Sequence, residues 1–346
     1  MPSTIPISPT WKLDLKHGAA RLASTPGAKR IAIAAEDPVI SVIDRGQSSV
    51  QKIKVSEPAG HVAINSTGDI LAVVGASHNL QILSLDSAKC GREIVRLGTQ
   101  VPDACEFSRD DNFLWTVGLL PDDDGEILCY DTRSWQIVGR HRFTPLIGGC
   151  GFMLTVHPRE DVLGLWACGG PDEVWNYSLR LTAPGIEFQH QPELDGLTPL
   201  CFNTRGDRFV GLRGCDLESF SFPSCESLYP PMSGTDVDEN EDDRFAESMC
   251  FLDSSADDRV LAATTEGRLL VVALERGKVI AEAVLEGHEP KPCYQVYTSL
   301  SKKIDDRLCS DLHGFTPVGS NSILSVHTNG RASNRQDTLL LWKYAG

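Results

Sequence analysis

A chain of 346 residues, 41% hydrophobic and 7% aromatic, carries enough apolar side chains for one large core or two ordinary ones. Its formal net charge of -15 excludes the basic footprint that direct binding to nucleic acid or an anionic membrane requires, and suits a basic protein partner. Eleven cysteines, an odd number without CxxC spacing, read as reduced thiols. Most of these (Cys105, Cys129, Cys168, Cys201 and Cys250) sit inside apolar runs, where a thiol packs as a small hydrophobe. No apolar run follows a basic segment near Met1, so a cytoplasmic or nuclear location is expected.

Residues 1–9 are rich in Pro and Ser and read as a flexible tail, and 10–346 as one domain. Thr10–Leu15 alternates apolar and polar residues like a lone strand. Repeats of short strands and polar turns follow. The first has Pro26-Gly27, a strand at Arg30–Ala35, Glu36-Asp37-Pro38 and a strand at Val39–Asp44. The second has Ser66-Thr67-Gly68-Asp69, strand Ile70–Gly75, turn Ser77-His78-Asn79 and strand Leu80–Asp86. The third has Ser108-Arg109-Asp110-Asp111, strand Phe113–Gly118, loop Asp122–Gly125 and strand Glu126–Asp131. The fourth carries His157–Asp161 and Pro171-Asp172-Glu173, and the fifth Thr204–Asp207 and Gly214-Cys215-Asp216. Two inserts interrupt the period: an acidic loop at 229–247 and a second stretch at 289–311, in which Ser299–Leu308 is the one candidate helix.

Ala256–His288 shows the unit most clearly. Three apolar runs, Val260–Ala263, Leu269–Leu274 and Val279–Leu285, are separated by Thr265-Glu266-Gly267 and Glu275-Arg276-Gly277. That is an antiparallel meander, which must bury its faces against copies of itself. The last copy ends at Asp337–Tyr344 without an outer strand. A period of roughly 40–50 residues and a spare strand at each end predict an all-β, seven-bladed β-propeller, its last blade completed by the N-terminal strand.

The order of strands and turns in Ala256–His288, ending in Gly287-His288, resembles the WD40 repeat, as do Tyr130-Asp131 and the pair Asp337 and Trp342. Ala273-Leu274 stands where that family carries Trp-Asp. The resemblance implies a non-catalytic scaffold or adaptor without a cofactor, meeting its partner on one rim.

Turns between second and third strands are mostly acidic, through Asp37, Asp124, Asp172, Asp216, Glu266 and Asp337, with His78 the exception. With Asp236, Asp238, Glu239, Glu241, Asp242 and Asp243 of the first insert they form a candidate surface for a basic segment, histone-like or ribosomal-protein-like. Asp in a tight turn also caps backbone N–H groups by itself, the competing explanation for each turn alone. Asp236, Asp238, Asn240, Asp242 and Glu247 follow calcium-loop spacing, but Glu241 replaces the required Gly, so a solvated loop is the reading and no metal site is expected. The nine histidines form no HxH or HExxH motif, and no GxSxG or P-loop appears. The alternative is a lactonase- or esterase-like propeller hydrolase with a metal or carboxylates in a central funnel.

Overall fold

The structure is a computed structural model that describes residues 9–15, 19–25, 29–35, 37–44, 49–75, 77, 79–86, 91–97, 101–144, 151–160, 162–170, 173–182, 184–233, 245–252, 258–264, 269–283, 312–317, 322–329 and 336–343. His78, Asp172, Glu266, His288, the acidic residues 236–243 and the candidate helix lie outside them. The described strands form an all-β, propeller-like set of seven antiparallel sheets, six of four strands and one of three. They fall into two compact units, one of Ala20–Leu197 and one of Met1–Ala19 with Thr198–Gly346.

In chain order, β1 (Pro9–Leu15) stands without a sequence neighbour to pair with. The first meander is β2 (Ala19–Ser24), β3 (Arg30–Ala35), β4 (Val39–Asp44) and β5 (Ser49–Lys54). The second is β6 (Ala59–Ile64), β7 (Ile70–Gly75), β8 (Leu80–Ser84) and β9 (Arg92–Leu97). The third is β10 (Val101–Phe107), β11 (Phe113–Leu119), β12 (Gly125–Asp131) and β13 (Ile137–Phe143). The fourth is β14 (Gly151–Val156), β15 (Val162–Gly170), β16 (Glu173–Thr182) and β17 (Gly185–His190).

Burial within these sheets explains their sequences. The middle strands β7, β11 and β12 are buried almost end to end, because sheets cover both of their faces. They therefore read as unbroken apolar runs. The outer strand β9 is exposed along most of its length and carries Arg, Glu and Arg. Each layer between sheets is a separate apolar core. Ile40 and Leu71 belong to the one between the first and second sheets, Ile82 and Leu128 to the next, and Trp115 and Leu179 to the third. In the third, Tyr177 stacks on Phe188 with ring centroids 4.4 Å apart, and Phe143 stacks on Phe188 at 5.2 Å.

The second unit holds a three-stranded sheet of β18 (Leu197–Phe202), β19 (Arg208–Arg213) and β20 (Asp216–Ser221). Among the described residues its outer edge receives two isolated bridges, Phe220 to Ser227 and Leu217 to Met232. Pro230 and Pro231 stand between those bridges and have no N–H to donate to a ladder. The next sheet is β21 (Phe245–Phe251), β22 (Arg259–Thr264), β23 (Leu269–Ala273) and β24 (Lys278–Ala283). This is the meander expected within Ala256–His288, its last turn closed by Gly277 at φ 54°. The last sheet has the order β1, β27 (Gln336–Lys343), β26 (Ser322–Asn329), β25 (Leu312–Pro317). Strand β1 completes it, with Trp11 opposite Leu341 and Leu13 opposite Leu339.

One turn recurs at the end of the inner strands. Thr25, Asn65, Ser108, His157 and Asn203 each send their backbone N–H to the carbonyl five residues on, over 2.8 to 3.1 Å. Four of the five side chains also accept from the N–H of that same residue: Arg30 to Thr25 Oγ1 (3.0 Å), Ile70 to Asn65 Oδ1 (2.9 Å), Phe113 to Ser108 Oγ (3.0 Å) and Arg208 to Asn203 Oδ1 (3.3 Å). His157 instead accepts through Nδ1 from the N–H groups of Arg159 and Glu160 at 3.2 and 2.9 Å.

These turns also join sheet to sheet. Arg30 pairs with Asp44 in its own sheet and donates to the carbonyls of Gly68 and Leu85 in the next, at 2.7 and 3.1 Å. Asp111 of the third sheet accepts from Ser66 N and Oγ of the second at 2.8 and 2.6 Å. In the second unit Arg208 pairs with Asp258, which also accepts from the Tyr229 hydroxyl at 2.8 Å.

Deleting residues 1–15 strips β27 of its neighbour and leaves an open edge. The truncated protein is expected to melt about 5 °C or more below the full chain and to self-associate, read by circular dichroism and light scattering. An unchanged melting temperature would show that the pairing contributes nothing.

Candidate functional site

The turns between second and third strands lie at the opposite ends of the sheets from the five-residue turns, and the acidic residues expected there are treated differently from one another. In the turn from β3 to β4, Asp37 is half-buried, and its Oδ1 has no hydrogen-bond partner among the described residues. In the loop from β11 to β12, Arg142 of β13 binds both Asp122 and Asp124, the latter at 2.8 Å, and Thr144 Oγ1 donates to Asp124 at 3.2 Å. Asp123 between them is exposed, at φ 66°. The free charge of this loop is therefore Asp123, and Asp124 is its anchored one. Asp216 opens β20 after the two-residue turn Gly214-Cys215, where Gly214 takes φ 62°. Asp337 lies inside the β27 ladder, opposite Leu15 and Thr328, rather than in a turn.

The second sheet supplies a carboxylate that sequence reading missed. Glu57 precedes β6, yet its Oε2 accepts from Ser77 N at 2.7 Å and its Oε1 from Asn79 Nδ2 at 3.0 Å. It thus places negative charge beside the turn that looked like the exception. A Cβ on Gly75 would collide with this carboxyl, so a side chain there would displace Glu57 from the turn. The only sequence signal was a Glu two residues before an inner strand, and nothing local says that it folds back over a turn 20 residues on.

Among the described residues, the inner strand β10 carries the most perturbed carboxyl. Glu106 keeps part of its surface accessible, but protein packs round it closely, and burial pushes its pKa up to about 8. No described side chain pairs with it. Next to it Cys105 is wholly buried, its thiol pushed well up by burial, and its Sγ is 3.7 Å from His61 Nδ1. Burial likewise raises Cys129 and Cys201 to about 12, so these thiols are packing groups without nucleophilic character at neutral pH.

Other residues singled out from the sequence have structural roles. Asp131 caps its turn, accepting from Arg133 N at 3.1 Å and from Ser134 N and Oγ at 2.8 Å, with Tyr130 buried beside it. Asn65 and Asn176, which start Asn-X-Ser/Thr tripeptides, are both 3% exposed. Their amides are in use: Asn65 Nδ2 donates to Thr67 and Asp69, and Asn176 Nδ2 to the carbonyls of Leu194 and Leu197. Among the described residues, no group of three or more His, Cys, Asp or Glu is placed to hold a metal ion, and no helix is long and apolar enough to cross a membrane.

No protein-family model matches the chain, and no curated protein does. The propeller-like arrangement is consistent with the WD40-like fold that the repeats resemble.

The raised pKa of Glu106 ties its protonation to stability. From its ordinary 4.5 up to about 8, the unfolded chain releases this proton while the folded one keeps it. Stability therefore falls across that interval as pH rises. Glu106→Gln is expected to melt with the wild type near pH 4 and several degrees above it at pH 8, in thermal melts followed by circular dichroism. Equal melting temperatures at both pH values would mean that the carboxyl is solvated.

Proposed function

We propose that this chain is a non-catalytic interaction scaffold. In this reading its seven sheets are the blades of one WD40-like propeller, and a basic protein segment binds at the acidic ends of the sheets. The supporting observation is a division of labour between the two ends of a sheet, clearest in the third. The backbone of the turns that follow the inner strands is tied up by its own hydrogen bonds, and Arg30 and Asp111 there are spent on the neighbouring sheet. At the other ends, the exposed carboxylate of Asp123 keeps acceptor capacity to spare. An acidic surface with low-dielectric walls attracts Lys- and Arg-rich segments and speeds their capture. A histone-like or ribosomal-protein-like segment, met in the cytoplasm or nucleus, has that chemistry. The insert residues Asp236, Asp238, Glu239, Glu241, Asp242 and Asp243 add six more carboxylates.

Replacing those six by their amides is expected to weaken binding of a fluorescent octalysine peptide at least about tenfold at low salt, measured by anisotropy. Undiminished binding, or binding indifferent to salt, would remove the acidic surface from the account.

A second reading, a propeller hydrolase, draws on Glu106. A carboxyl on an inner strand that holds its proton at neutral pH has the state of a general acid. Hydrolysis of p-nitrophenyl acetate or a γ-lactone above the buffer rate, lost in Glu106→Gln, is the expected sign. A wild-type protein no faster than buffer ends this reading.

A further inference from the structure

A cleft of about 250 Å³ opens between the third and fourth sheets of the Ala20–Leu197 unit. Phe113, Trp115, Val156, Val162 and Leu181 make its apolar walls. Trp115 and Val162 are 3% and 7% exposed, and Phe113, Trp115, Val156 and Leu181 belong to the packed layer between the sheets. Arg109 and Glu160 also line it, and as exposed residues they mark its mouth. The volume falls just below the roughly 300 Å³ at which small-ligand sites begin, enough for one ring or a branched aliphatic group.

Charge at the mouth decides what the group must carry. Glu160 is already paired with Arg180, at 3.4 Å. The Ser108 hydroxyl is used twice, donating to Asp110 at 2.7 Å and accepting from Phe113 N at 3.0 Å. Arg109 makes a single hydrogen bond, from Nη1 to the Arg159 carbonyl at 3.2 Å, and no carboxylate among the described residues pairs with it. Its guanidinium therefore has a cationic fork of N–H donors to spare, the geometry that suits a carboxylate. Glu106 stands opposite Trp115 in the ladder and on the same side of β10 as Ser108. It stays protonated at neutral pH and so adds no repelling charge.

We propose that this cleft binds a carboxylate borne on a compact apolar group, with the apolar part against Trp115 and Val162 and the carboxylate on Arg109. Two sources offer that chemistry: a free aryl or alkyl carboxylic acid, and the C-terminal residue of a peptide chain. The site lies at the other end of the sheets from the acidic turns and does not depend on the scaffold reading.

The test uses the full chain, with 3-phenylpropionate and its neutral counterpart 3-phenylpropan-1-ol titrated by ligand-observed NMR. The acid is expected to bind about tenfold tighter than the alcohol. Arg109→Gln should abolish that preference and leave the alcohol unchanged. Val156→Trp, which fills the cleft, should lose both ligands, with melting curves confirming that each variant is folded. Gly-Gly-Phe binding tighter than 3-phenylpropionate, with its C-terminal amide failing to bind, identifies a chain terminus as the source; the reverse order identifies a free acid. The proposal is overturned if the wild type binds neither probe, if acid and alcohol bind equally, or if Arg109→Gln keeps the preference for the acid.

Discussion

The fold depends on a hydrogen-bonded five-residue turn placed at the end of successive inner strands. Thr25, Asn65, Ser108, His157 and Asn203 each lock the chain by a backbone bond to the carbonyl five residues on. A turn buried at the edge of a packed layer cannot leave its N–H groups bare, and here the residue that starts the turn supplies the acceptor from its own side chain. Because the second strand is thereby set at a fixed offset from the first, each meander presents the same faces to its neighbours. The apolar layers between sheets, such as that of Ile82 and Leu128, follow from this offset.

The same turns hold one sheet against the next, and this sets what each end of a sheet has left over. Arg30 and Asp111 use their charges on backbone and hydroxyl groups of an adjoining sheet. Asp69 shows the outcome electrostatically. Burial raises its carboxyl, yet the hydrogen bonds from Thr67 and Asn65 outweigh that and hold it below the ordinary carboxylate value. A carboxylate held ionised in this way is a fixture of the turn. At the opposite ends, Arg142 neutralises two acids of one loop and leaves the third in water. Charge is thus left unspent at that end of the third sheet.

The strands were legible because their patterns are local. Arg30–Ala35, Val39–Asp44 and Ile70–Gly75 coincide with the expected runs, since middle strands are covered on both faces and their turns carry Gly, Asp or Pro. Strand β1 was legible as the missing partner of β27 by elimination. The turn acceptor was hidden because five different positions fill one role with Thr, Asn, Ser or His. The three-stranded sheet departs from the expected four because Pro230 and Pro231 interrupt what would have been its outer ladder. In the candidate surface, Asp37 and Asp216 fall at the ends of their hairpins, as their turn sequences indicate. That Asp124 is tied to an arginine 18 residues away, and that Glu57 folds back over Ser77, are long-range facts that no local pattern carries. Glu106 was invisible for the same reason: between Cys105 and Phe107 it reads as a solvent-facing alternation, and only the packing of β10 makes it acidic in name alone.

The union of β1 with β27 has a mechanical corollary. Pro9 lies beside Trp342 and Leu15 beside Asp337, so the chain enters β1 and leaves β27 at the same corner. Tension applied between the two ends loads those bonds one after another, as in unzipping, and never all together in shear. Whatever else the chain withstands, a pull on its extremities opens this strand pair first, at little force, and a covalent link across that corner would remove the weakness.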